Sequence, residues 1–122
     1  MKTLKNIFLL VIPLAILSGI AIRGQEKELD KYPAPIGGIE AIMKKVIYPE
    51  KAKEEKLQGK VLVKAIIDEK GNVEKASIEE GVSQLLDEAA VKAIKEVKFT
   101  PGEKDGKKVK AEVIIPVKFK LN

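Results

Sequence analysis

Two hydrophobic periods alternate over the last seventy-odd residues, and their order leaves few folds open. Lys60–Ile67 is apolar at every second position (Val61, Val63, Ala65, Ile67), with Leu62 and Ile66 on the opposite face. A strand apolar on both faces belongs in the middle of a sheet. Asp68-Glu69-Lys70-Gly71-Asn72 reads as a hairpin loop with Gly71 placed for a positive φ. Val73–Glu80 is a second, more polar strand suited to an edge. Ser83 is an N-cap, and Gln84–Val97 follows with a helical stripe of Leu86, Ala90, Ala93, Ile94 and Val97. Glu88, Lys92 and Glu96 lie at i, i+4 spacing on its other face. After Phe99-Thr100-Pro101-Gly102 and a turn at Asp105-Gly106 comes the longest alternation in the chain. Val109, Ala111, Val113, Ile115, Val117, Phe119 and Leu121 face one way, and Lys108, Lys110, Glu112, Lys118 and Lys120 the other.

The order β-β-α-β predicts a small α+β domain. The first two strands form a hairpin, and a helical crossover returns the chain parallel to strand two. With strand three beside the central first strand, the sheet is a three-stranded antiparallel type in order 2-1-3, with one main helix on a face. Pro116 fits an outer strand three, because proline in a sheet belongs at an edge or a bulge. An open edge can bind another chain by strand addition. The backbone of Val109, Lys110, Ala111, Glu112, Val113, Ile114 and Ile115 is the candidate partner-binding site.

Upstream, Ile39–Val46 has helical spacing (Ile39, Ile42, Met43, Val46), and Pro49 suits the first turn of a second short helix, Pro49–Lys56. Gln25–Gly38 is charged and then rich in Pro and Gly, and reads as a linker. Residues 7–22 are sixteen uncharged residues behind Lys2 and Lys5, closed by Arg23. That is short for a spanning helix, which wants about 20 apolar residues. It matches a signal peptide, or else an inner-membrane anchor, with Ala21 and Gly24 as small residues for cleavage. Either way the remainder is expected outside the cytoplasm. The domain expectation is therefore 1–24 signal peptide or anchor, 25–38 linker and 39–122 folded domain.

Composition removes several function classes. The chain has no Cys and no His, so thiolate chemistry, disulfides, the commonest general base and the commonest transition-metal ligand are all missing. Carboxylate pairs such as Glu54-Glu55, Glu79-Glu80 and Asp87-Glu88 are sequence neighbours, which point apart on a helix or strand. Ser77 and Ser83 have no His to activate them. No enzyme, cofactor or metal site is expected. Of 23 basic residues, three flank the apolar segment, leaving 20 against 18 acidic in the folded part. Lys and Glu interleave there, and the aromatics are only Tyr32, Tyr48, Phe99 and Phe119. That is not a nucleic-acid surface.

Tyr48-Pro49, Gly59-Lys60-Val61, Asp68…Gly71-Asn72-Val73, Leu86-Asp87-Glu88-Ala89-Ala90, Phe99-Thr100-Pro101-Gly102, Asp105-Gly106 and Ile115-Pro116-Val117-Lys118-Phe119 occur in order. With the lead-in Gly37-Gly38-Ile39-Glu40-Ala41, this set resembles the TonB family C-terminal domain over roughly residues 37–122. The resemblance implies a periplasmic domain in energy-dependent transport. It implies two partners: the N-terminal peptide of an outer-membrane TonB-dependent receptor, added as a strand, and an ExbB–ExbD-type motor. Two features depart from the family pattern. A coupling His is missing from the apolar segment, and Gln25–Gly38 is too short to cross the periplasm. The alternative expectation is a structural or regulatory envelope module with this fold and no motor coupling.

Overall fold

The computed structural model describes residues 28–122; the expected signal peptide or anchor at 1–24 lies outside them. β1 is Ala34–Pro35, α1 Ile39–Met43, α2 Glu50–Glu54, β2 Gly59–Ile67, β3 Val73–Glu80, α3 Gln84–Lys95, β4 Phe99–Thr100, β5 Gly102–Lys104, β6 Lys107–Val109 and β7 Ala111–Phe119. The main sheet has order β3-β2-β7 with both pairings antiparallel. This is the expected 2-1-3 order. No helix among the described residues is long and apolar enough to cross a membrane.

Alternation decides which face is buried. Val61, Val63, Ala65 and Ile67 of β2 are fully buried, as are Leu86, Ala90 and Ile94 of α3. Of the three alanines of α3, Ala90 and Ala93 are in the core and Ala89 packs against it, half-buried. Ile115, Val117 and Phe119 of β7, Phe99 behind the helix, and Ile42 and Ala52 of the short helices complete it. Burying each large apolar side chain stabilises by roughly 1.5–3 kcal/mol. Leu62, Lys64 and Ile66 occupy the other face, only half-buried.

Capping and turns follow the local sequence. Ser83 Oγ accepts the Leu86 N–H at 3.3 Å and starts α3. Asp68 Oδ1 accepts the N–H groups of Lys70 and Asn72, each at 2.9 Å, and closes the β2–β3 hairpin. Gly71 within it has φ +88. α1 ends at Met43 rather than Val46, and α2 starts after Pro49, whose ψ of 137° is extended.

Beyond these helix ends, two larger features differ from the sequence expectation. The long terminal alternation is divided between two partners. Lys107–Val109 pairs with Gly102–Lys104 across the Asp105-Gly106 turn, and only Ala111–Phe119 joins β2. Both turn residues have positive φ, 52° and 78°, which folds the chain back at once into its own short hairpin. The residues read as linker also include a strap bound to the domain. Asp30 and Lys31 donate N–H groups to the Glu103 carbonyl at 2.8 and 3.2 Å, and Glu103 returns one to Lys31 at 2.9 Å. Ala34 and Pro35 pair with Thr100 and Phe99, and the Ile36 N–H reaches the Lys98 carbonyl at 2.9 Å.

Candidate functional site

The direction of each backbone group on β7 can be worked out from β2. The Asp68 N–H donates to the Asn72 carbonyl, on the β3 side. Successive residues of a strand point their backbone groups to opposite sides. Even-numbered residues of β2 therefore face β3, and odd-numbered residues face β7. Across β2–β7 each partner has the same parity: Ile67↔Ala111, Ala65↔Val113, Val63↔Ile115, Val61↔Val117, Gly59↔Phe119. So odd residues of β7 bond inward, and Glu112, Ile114 and Lys118 present N–H and C=O outward. Pro116 falls on the outward set, where its missing N–H breaks no ladder bond.

Among the described residues, no strand pairs with the outer side of β7. The opposite edge, β3, is less suited to receive a chain. Its pairing has register shifts at Leu62/Val63 and Ile66/Ile67, and bulges twist an edge away from flat pairing. Glu79 and Glu74 on it are held in ion pairs, to Lys64 at 3.7 Å and Lys110 at 3.0 Å. The β7 edge is regular over nine partners.

Of the seven residues expected to form the partner-binding edge, five are where the sequence placed them. Ala111, Glu112, Val113, Ile114 and Ile115 are consecutive in β7. Val109 is not part of that edge: it belongs to β6 and faces Gly102. Lys110 is the residue between the two strands, and its ammonium hydrogen-bonds Glu74, which raises its pKa. The edge instead continues past Ile115 to Phe119. The sequence hid the change of partner because the apolar alternation runs on unbroken through Val109, Ala111 and Val113.

The two sides of the edge differ in character. Outward-facing positions carry Glu112, Ile114, Pro116 and Lys118 on the uncovered sheet face, with Ile114 44% exposed. The other side meets the α1–α2 connection. There a groove of about 330 Å³ lies between Met43, Val46, Tyr48 and the β7 end Lys118-Phe119-Lys120. The Tyr48 ring stands edge-on to Phe119 at 5.4 Å, and its hydroxyl donates to the Leu57 carbonyl. Sequence reasoning missed this groove, because Met43 and Val46 read only as members of one helical stripe with Ile39 and Ile42.

Residues 44–121 match the family model described as Gram-negative bacterial TonB protein C-terminal. Relatives include protein TonB of Vibrio cholerae, 33% identical over 75 residues, covering 61% of this chain and 31% of that protein. Protein TonB of Xanthomonas campestris is 36% identical over 76 residues, covering 62% and 34%. The chain thus spans about a third of the length of these relatives. Among solved structures, the Helicobacter pylori TonB C-terminal domain superposes with a TM-score of 0.57 at 28% identity, covering 68% of this chain and 76% of that one.

Proposed function

The chain belongs to the family of Gram-negative bacterial TonB C-terminal domains, and from that premise we propose that it binds an extended peptide of an outer-membrane receptor along β7. The observation that carries this reading is the regular, unpaired outer edge of β7, with backbone groups of Glu112, Ile114 and Lys118 directed away from β2. Main-chain hydrogen bonds supply affinity in strand addition, and alternate side chains supply selectivity. The reading places the domain in the periplasm, as a transport accessory rather than an enzyme.

The test is a titration of N-terminal receptor peptides against proline variants of the edge. Glu112→Pro and Ile114→Pro remove outward donors, so both should fold and lose binding. Val113→Pro removes a donor into β2 and should unfold the domain instead. Normal binding by folded Glu112→Pro and Ile114→Pro would show that the peptide uses another surface, with β3 the next to examine.

A second reading, an envelope module uncoupled from any ExbB–ExbD-type motor, is supported by two observations. The chain contains no His, and the strap begins at Asp30. Six residues remain between Arg23 and Asp30, a reach of about 20 Å at full extension. Crosslinking in intact cells separates the two readings. Motor subunits captured by this chain favour a transducer, and receptors captured without motor subunits favour the module.

A further inference from the structure

We propose that the groove at the Phe119 end of β7 is a side-chain subsite of the added strand, and that it selects a large apolar residue flanked on both sides by acids. The proposal rests on the strand-addition reading and names what that strand must contain. In a sheet, side chains directly across from one another share a face. Phe119 points to the helix side and is buried, so the incoming residue opposite it also points to that side. What it meets there is the groove between Met43, Val46, Tyr48 and the Lys118-Phe119-Lys120 end of β7.

The groove is built to receive a side chain. Its floor is fixed, because Tyr48 is held at both ends, by the Leu57 carbonyl and by the edge-on Phe119 ring. Its wall is adaptable: Met43 is 38% exposed, and an unbranched thioether side chain repacks around different shapes. Phe119 is an odd position, so the residue across from it carries no ladder bond to β7, and such pairs bring side chains closest.

Charge completes the pattern. Lys118 and Lys120 bracket Phe119 and are exposed. The ion pairs among the described residues are Lys53–Glu50, Lys64–Glu79 and Lys110–Glu74, so neither lysine is engaged. Residues flanking the apolar one on the incoming strand lie across from Lys118, on the open face of the sheet, and from Lys120, the residue just past the end of β7. Acids there meet cations that no ion pair among the described residues neutralises.

The experiment uses the full chain and three labelled decapeptides of one extended, Thr- and Val-rich background. Their central residues are Glu-Leu-Glu, Glu-Ser-Glu and Lys-Leu-Lys, and affinity is read by fluorescence anisotropy. Glu-Leu-Glu should bind at least tenfold tighter than either of the others. Met43→Ser, at a half-exposed position, should fold normally and cut that preference for Leu over Ser below threefold. Ile114→Pro should abolish binding of all three. If Ile114→Pro abolishes binding but Leu and Ser bind alike, or Met43→Ser changes nothing, the subsite is wrong and strand addition stands. If binding survives Ile114→Pro, the β7 edge is not used and the subsite falls with it. If no peptide binds up to millimolar concentration, the subsite is overturned, since the first peptide contains everything it is said to recognise. The receptor-peptide titration then decides strand addition separately.

Discussion

Gly71 is the position at which one added methyl group should damage the fold most, and the structure says why. The residue has φ +88, and a Cβ built there would stand 2.0 Å from the Phe99 carbonyl oxygen. The Phe99 N–H in turn donates to the Gly71 carbonyl at 2.9 Å, and the Phe99 ring is a buried member of the core. Gly71→Ala therefore carries two costs. A left-handed conformation at an L-residue costs about 1–2 kcal/mol. Relieving the clash requires backbone to move, which breaks the Gly71–Phe99 hydrogen bond, and an unmade buried bond costs about 1–3 kcal/mol. Stiffening the unfolded chain returns about 0.4–1 kcal/mol. The net loss should be about 2–4 kcal/mol, a large part of the stability of a domain this small. Gly106 is the internal control: its φ is +78, but a Cβ there meets nothing within 4 Å. Gly106→Ala should cost about 1 kcal/mol. Urea unfolding followed by circular dichroism measures both, provided the m-values agree. Losses equal to within about 0.5 kcal/mol would refute the steric argument and leave only the backbone angle.

Other perturbations address the remaining supports of the fold. Ile94→Asp puts an unpaired charge at a fully buried site; it should abolish the cooperative thermal transition, several kcal/mol being lost. Ser83→Ala removes the cap on the Leu86 N–H and should lower the urea midpoint by the equivalent of about 1 kcal/mol. The Asn72 backbone N–H holds the Asp68 carboxyl below its ordinary pKa; desolvation, the next-largest effect, opposes it, and the Lys70 N–H adds to the lowering. A depressed folded pKa contributes stability above the unfolded value, near 3.9, and loses it as pH falls through the folded one. Parent and Asp68→Ala should therefore differ in melting temperature at pH 6 and converge as pH is lowered from 5 to 2. A gap unchanged over that range would mean that the carboxylate's charge is not what the turn uses.

The sheet and main helix were legible in the sequence because one side chain in two, or one in three or four, reports a buried face directly. Val61, Val63, Ala65 and Ile67 could belong only to a strand, and Leu86, Ala90 and Ile94 only to a helix lying on it. What a pattern of side chains cannot report is which backbone its own backbone meets. Val109 and Ala111 continue one alternation yet bond to different strands. The strap escaped for the same reason, since Lys31, Ala34 and Pro35 are held by main-chain groups of Glu103, Thr100 and Phe99. The groove required the α1–α2 connection to be placed over the end of β7, a long-range contact with no periodic signature.

The strap and the β7 edge would respond very differently to tension. β7 lies against β2 along nine registered partners, so a pull along its axis loads all of those bonds in shear, together. The strap is attached at Glu103, at the short β1–β4 pairing and at Lys98. A pull from residue 28 reaches these attachments one after another and peels them in turn. Releasing residues 30–38 would pay out roughly 30 Å of chain while β2, β7 and α3 remain folded. The domain thus has a weak element in series with a strong one; both carry the same tension, and a stretched tether would lengthen at Asp30–Gly38 before the β2–β7 pairing gave way.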